Sequence, residues 1–171
     1  MRHAHHFRQY LPDLTHRQYW LKEGGAQELA LTGVAELVAE VGIPYNTFCL
    51  ACGTGTTLAG IADAVPEQVS VLGFAALKNA GFLTAEVETM LSKSRNNWRI
   101  NLAYHFGGFA KTNIELSEFI EDFQLKTTIP LEPIYTGKMM YAVYDLIKKN
   151  YFKPGERIIV LHTGGLQGKR G

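Results

Sequence analysis

Hydrophobic positions change period several times between Gly25 and His162, and the changes mark out alternating helices and strands. Leu31, Ala35 and Val38 recur at helical spacing between Glu23-Gly24-Gly25 and Gly42-Ile43-Pro44, which predicts an amphipathic helix over Ala26 to Val41. It leads into an apolar strand, Thr47 to Ala51. A helix of small residues, Leu58 to Ala64, is followed by a buried strand, Val69 to Ala75, a helix, Leu83 to Lys93, and a strand, Trp98 to Tyr104. Ile114 to Phe123 reads as a helix with acids on one side. Met139, Val143 and Ile147 mark a last helix, Gly137 to Asn150, whose final turn carries Lys148 and Lys149, as the helix dipole favours. Arg157 to His162 closes the series as a buried strand. This alternation predicts an α/β fold, a parallel twisted sheet with helices on both faces and right-handed crossovers. Residues 1 to 22 lack clean periodicity and are set apart as an irregular N-terminal segment; residues 23 to 171 form the α/β domain.

The chemistry concentrates where strands end. In FCLACGTGTTLAG, Phe48 to Gly60, an apolar strand runs into a Gly/Thr loop that opens a helix. Such a junction aims backbone N–H groups and hydroxyls at one spot at the positive end of a helix, a way to hold phosphate without a lysine. The loop Gly53-Thr54-Gly55-Thr56-Thr57 lacks the Gly-Lys-Ser/Thr ending of a Walker A loop. It also has Leu58 where a dinucleotide fingerprint needs its third glycine. A mononucleotide or a phosphorylated cofactor fits better; the competing reading is an ordinary strand-to-helix turn. Tyr135-Thr136-Gly137-Lys138 and Thr163-Gly164-Gly165 also open a helix or follow a strand, which predicts one binding face at the carboxyl ends of the strands.

Composition narrows the partners. The 171 residues are 46% hydrophobic with a net charge of +1 and no charged blocks, so nothing favours nucleic acid or an anionic membrane. Residues 41 to 62 are uncharged, but Pro44, Asn46, four threonines and four glycines make them strand and loop rather than a membrane span. The first ten residues, MRHAHHFRQY, have no apolar run like that of a signal peptide, and a cytoplasmic location is expected. Cys49 and Cys52 form a C-x-x-C, read as buried small side chains on opposite faces of a strand in a reducing compartment. His3, His5, His6 and His16 fall in the irregular segment and are read as solvated; no metal is expected.

Four segments in order, ACGTGTTLAG, GFAALK at Gly73 to Lys78, IYTGKMMY at Ile134 to Tyr141 and LHTGGLQG at Leu161 to Gly168, resemble the 1-aminocyclopropane-1-carboxylate deaminase/D-cysteine desulfhydrase family over residues 20 to 171. These are pyridoxal 5'-phosphate enzymes of the tryptophan-synthase-β-like fold, fold type II. The resemblance implies a phosphate cradle of Gly53, Thr54, Gly55, Thr56 and Thr57, an active-site tyrosine at Tyr135, and ring contacts from Thr136 and Thr163. In deaminases of the family a glutamate follows the tyrosine and faces the pyridine nitrogen; here that place holds Thr136. A hydroxyl there leaves the nitrogen neutral and the electron sink weaker, which suits β-elimination more than cyclopropane ring opening. Phe109 stands where the family more often has a tyrosine, which also counts against the deaminase reaction. Lys138 is read as a solvated first-turn lysine.

Family members are roughly twice this length, and the resemblance implies that their Schiff-base lysine lies in an N-terminal portion not carried by this chain. None of Lys22, Lys78, Lys93 or Lys111 has the matching context. The expectation is therefore the C-terminal part of an enzyme that releases ammonia and a 2-oxo acid from a small amino acid, with the N-terminal portion and small domain missing or incomplete. It would be inactive alone, and would form a homo-oligomer or pair with a complementary N-terminal half. A non-catalytic module holding a phosphorylated ligand is the alternative, and a free-standing nucleotide-binding protein a third.

Overall fold

The computed structural model describes Tyr19 and residues 21 to 166. His3, His5, His6 and His16, and all of the predicted N-terminal segment except Tyr19, Leu21 and Lys22, lie outside these. A short 3-10 turn at Glu23–Gly25 precedes α1 (Glu28–Ala39), β1 (Thr47–Cys52), α2 (Thr56–Ala64), β2 (Ser70–Ala75), α3 (Phe82–Met90), β3 (Trp98–Asn101), α4 (Ile114–Thr127), α5 (Thr136–Lys148) and β4 (Ile158–Leu161). The four strands form one parallel sheet in the order β3-β2-β1-β4.

Both faces of the sheet are covered, as the apolar strands require. On one face Phe48, Leu50 and Val71 pack with Leu58 and Ile61 of α2, Leu31 of α1, and Leu83 and Val87 of α3. On the other, Cys49, Leu72 and Phe74 meet Met139, Ala142, Val143 and Leu146 of α5. A third cluster joins α4 to the approach of α5 through Leu116, Ile120, Phe123 and Leu131. α2 is buried nearly all round. A Cβ on its Gly60 would lie 2.6 Å from Val34 Cβ, so only glycine lets α1 approach this closely.

Several ends differ from the sequence reading, each for a local reason. α3 stops at Met90, three residues before Lys93, because the Ser92 amide leaves the helix and donates to Asp63 Oδ2 at 2.8 Å. β3 stops at Asn101 rather than Tyr104, because the Asn101 side chain accepts from the Ala103 amide at 2.9 Å and turns the chain out of the ladder. α4 extends past Phe123 to Thr127 before Thr128 takes a left-handed conformation. The buried stripe of α5 is Met139, Ala142, Val143 and Leu146, and Ile147, expected inside, is 51% exposed. The predicted opposition of the cysteines is found: Cys49 faces the α5 side and Cys52 the α2 side, both as free thiols.

The order of the strands places the site. From β1 the chain winds outward through β2 to β3, then returns through α4 and α5 to lay β4 on the opposite side of β1. Loops leaving β1 and β4 thus diverge at a topological switch point, where open α/β sheets form crevices.

Candidate active site

At that switch point lies a cleft of about 300 Å³ lined by Gly53, Thr54, Gly55, Thr56, Thr57, Tyr135 and Thr163, with Glu23 and Gly24 at one side and Cys52 and Leu58 at the base. Three stretches far apart in sequence are brought together as predicted. Thr56 and Thr57, expected in the loop, form the first turn of α2. The first intrahelical bond there is Ala59 N–H to Gly55 C=O, so the amides of Thr56, Thr57 and Leu58 lie ahead of the helical ladder. No side chain caps this end. Gly55 bends the chain with φ +85°, and a Cβ on it would lie 2.6 Å from Val87 Cγ2, so glycine is required twice over. Thr54 and Thr56 share a hydroxyl–hydroxyl hydrogen bond of 2.9 Å.

Tyr135 forms the opposing wall. A Cβ built on Gly53 would stand 3.4 Å from its ring and 3.6 Å from its Oη, so the phenol lies over the first glycine of the loop. Phe109 packs edge-on against it, with centroids 6.0 Å apart. Burial, then the carboxylates of Glu132 and Glu23, raise the phenol above the usual tyrosine range and hold its proton on at neutral pH.

Thr136 stands apart from the other predicted site residues. Its side chain is buried at 1% exposure, its hydroxyl accepts from the Glu132 amide at 3.1 Å, and it is not among the residues lining the cleft. Thr163 does line the cleft, on a loop that His162 steadies. Gly164 N–H donates to His162 Nδ1 at 3.1 Å, so Nε2 carries the proton and donates to the Pro130 carbonyl at 2.8 Å.

The structure corrects the reading of Lys138. It is 2% exposed, and its ammonium donates to the carbonyls of His105 at 2.9 Å and Gly108 at 2.7 Å. It fastens the bend carrying Phe109 to the start of α5. Burial lowers its pKa. Two further residues escaped the sequence reading. Glu132 is buried beneath Tyr135, and its one sequence signal is a carboxylate just ahead of a predicted helix. Gly24 backs onto Thr54, a contact no local pattern foretells.

No lysine lines the cleft among the described residues. Nor do these residues contain a His/Cys/Asp/Glu group suited to a metal, or a helix long and apolar enough to cross a membrane. Burial pushes the Cys49 and Cys52 thiols up to about 12, which suits inert packing rather than redox work.

No protein-family profile matches the chain. A Pyrococcus horikoshii protein named as a candidate 1-aminocyclopropane-1-carboxylate deaminase is 25% identical over 182 residues, covering 98% of this chain and 55% of its own length. An Arabidopsis thaliana protein named bifunctional D-cysteine desulfhydrase/1-aminocyclopropane-1-carboxylate deaminase, mitochondrial, is 27% identical over 171 residues, covering 89% of this chain and 42% of its own. A crystal structure of an ACC deaminase homologue superposes with a TM-score of 0.75 at 24% identity, covering 98% of this chain and 54% of that one, a likeness of fold. The chain spans about half the length of the curated relatives it matches. Over that half it is a homologue of proteins named 1-aminocyclopropane-1-carboxylate deaminase and D-cysteine desulfhydrase.

Proposed function

We propose that this chain provides the phosphate cradle and one cleft wall of a pyridoxal-phosphate-dependent deaminase or desulfhydrase. Its substrate is a small amino acid of the 1-aminocyclopropane-1-carboxylate or D-cysteine type, and its products are ammonia and a 2-oxo acid. The observation that carries this reading is the uncapped N-terminus of α2, facing a cleft ringed by threonine hydroxyls and closed by an aromatic wall. Those features fit the cofactor: Thr54, Thr56, Thr57 and the amides behind Gly55 offer hydrogen bonds to a phosphate dianion, and the Tyr135 ring offers a face for a flat heterocycle.

When bound, pyridoxal phosphate supplies an electron sink for the bond breaking at the substrate's α carbon. The chain's own residues do the rest. The helix end orients the phosphate, and the Tyr135 hydroxyl holds a proton within the cleft. Phe109 packs edge-on against the Tyr135 ring and limits its movement. Thr163 lines the cleft with a hydroxyl rather than a carboxylate; a hydroxyl beside the ring nitrogen would leave it neutral and favour elimination over ring opening. With no lysine on the cleft lining among the described residues, the imine-forming amine is proposed to come from a complementary polypeptide portion, which leaves the chain by itself inactive. The same observation favours a second reading, in which this chain holds a phosphorylated ligand without chemistry. Either acts in a reducing compartment such as the cytoplasm.

Titration of the purified chain with pyridoxal phosphate, followed by fluorescence and absorbance, tests the reading. Saturable binding that free phosphate displaces is expected, with no lysine adduct after borohydride reduction. Failure to bind at millimolar cofactor would sink it, and one stoichiometric adduct would sink the claim that the amine comes from elsewhere.

A further inference from the structure

Two helix N-termini reach the cleft, and they are finished in opposite ways. α2 opens on Gly55 without a side-chain cap, whereas α5 opens on a carboxylate from its own approach segment. Glu132, 1% exposed, accepts from the amide of Ile134 at Oε2 (2.6 Å) and from those of Tyr135 (2.8 Å) and Thr136 (2.5 Å) at Oε1. Pro133 has no amide to satisfy. The Glu132 carbonyl accepts from Gly137 N–H at 2.8 Å, and its amide donates to the Thr136 hydroxyl. The whole first turn of α5 ends on this one residue. The loop after β4 rests on it too, since a Cβ on Gly165 would lie 3.6 Å from Glu132 Cγ.

We propose that Glu132 is a positioning residue of the cleft: its buried carboxylate takes the anion place at the N-terminus of α5, holds Tyr135 over Gly53, and leaves the N-terminus of α2 as the seat for a ligand phosphate. This rests on the reading of the cleft as a phosphate-cofactor cradle. A helix end that already holds a carboxylate has its dipole and amides satisfied and repels a second anion. Repulsion of that kind sends the phosphate to α2.

Tyr135 reports the arrangement. Among the described residues, the charged groups facing its phenol are Glu132 from the α5 approach and Glu23 from the 3-10 turn. Gly53 and Phe109 bring no charge, and the Lys138 ammonium is turned to the His105 and Gly108 carbonyls. Glu132→Gln keeps the shape and removes the charge. In the chain without ligand, ultraviolet titration assigned by difference from Tyr135→Phe should show the phenol ionising at lower pH in Glu132→Gln. Amide exchange at Tyr135 and Thr136 should be roughly tenfold faster. Glu132→Asp, with the charge on a shorter stem, should loosen the amides yet leave the phenol near its wild-type titration, which separates charge from mere packing.

Unchanged titration and exchange in folded Glu132→Gln would overturn the proposal. If that variant does not fold, unchanged amide protection in Glu132→Asp overturns it instead. These readouts need no cofactor, so failure of pyridoxal phosphate to bind the wild type refutes the cradle and leaves the Glu132 test standing. Where the wild type binds, Glu132→Gln, with Tyr135 loosened over Gly53, is expected to bind roughly tenfold more weakly, and equal binding would overturn the role in positioning the cleft wall.

Discussion

Gly55 and the two cysteines show how single residues divide between building the cleft and staying out of its chemistry. Gly55→Ala places a methyl 2.6 Å from Val87 Cγ2 at a φ of +85°. Strain and overpacking together should cost roughly 2–4 kcal/mol and deform the loop, read as a lowered Tm with pyridoxal-phosphate binding lost. The thiols behave oppositely. Their pKa values are raised from 9.0 to about 12, so the folded state holds these protons more tightly than the unfolded chain. Their contribution to stability is complete below pH 9 and is lost as pH rises toward 12. Alkylation of native protein near pH 8 should therefore be slow and should accelerate on denaturation; rapid labelling of either thiol in the native state would contradict the burial. The C-x-x-C was legible as inert because strand alternation sends residues three apart to opposite faces. Lys138 was not legible, because nothing in YTGK tells that two carbonyls some thirty residues away wait for its ammonium.

α5 is the element on which the cleft turns. Its inner stripe fixes it to β1 and β2, its first turn presents Tyr135, and Lys138 ties it to the bend that carries Phe109. Lys138→Met keeps the stem's packing but leaves two carbonyls without their donor, which should cost about 2–4 kcal/mol. The Phe109–Tyr135 contact should loosen with it, seen as faster exchange at Gly108 and a lowered Tm; an unchanged melt would show the anchor to be dispensable. The existence and order of all nine helices and strands were readable from hydrophobic period among the described residues. Their ends were not, where a side chain from elsewhere captures an amide, as Asp63 does at Ser92.

At the scale of the molecule, the sheet is covered on both faces and open at its edges. Among the described residues β4 has a strand neighbour on one side only, and Ile158, Ile159, Val160 and Leu161 are each only partly buried. An edge of this kind invites another strand. A homo-oligomer or a complex with a complementary half is therefore proposed, and light scattering on the purified chain should give a mass above the monomer that falls when Val160 is changed to Lys. A monomer at all concentrations would argue against self-association. The sequence by itself determined the α/β alternation, the parallel sheet, the Gly/Thr loop and the family likeness, because periodicity, turn chemistry and motif order are local properties of the chain. Only the tertiary structure decided that β4 lies beside β1, which makes the switch-point cleft, and that Thr136 turns inward while Thr163 faces the cleft. It alone set Glu132 and Lys138 beneath the wall as buried charges. Those outcomes depend on which distant amides and carbonyls the packing leaves to be satisfied, and no window of sequence contains both partners.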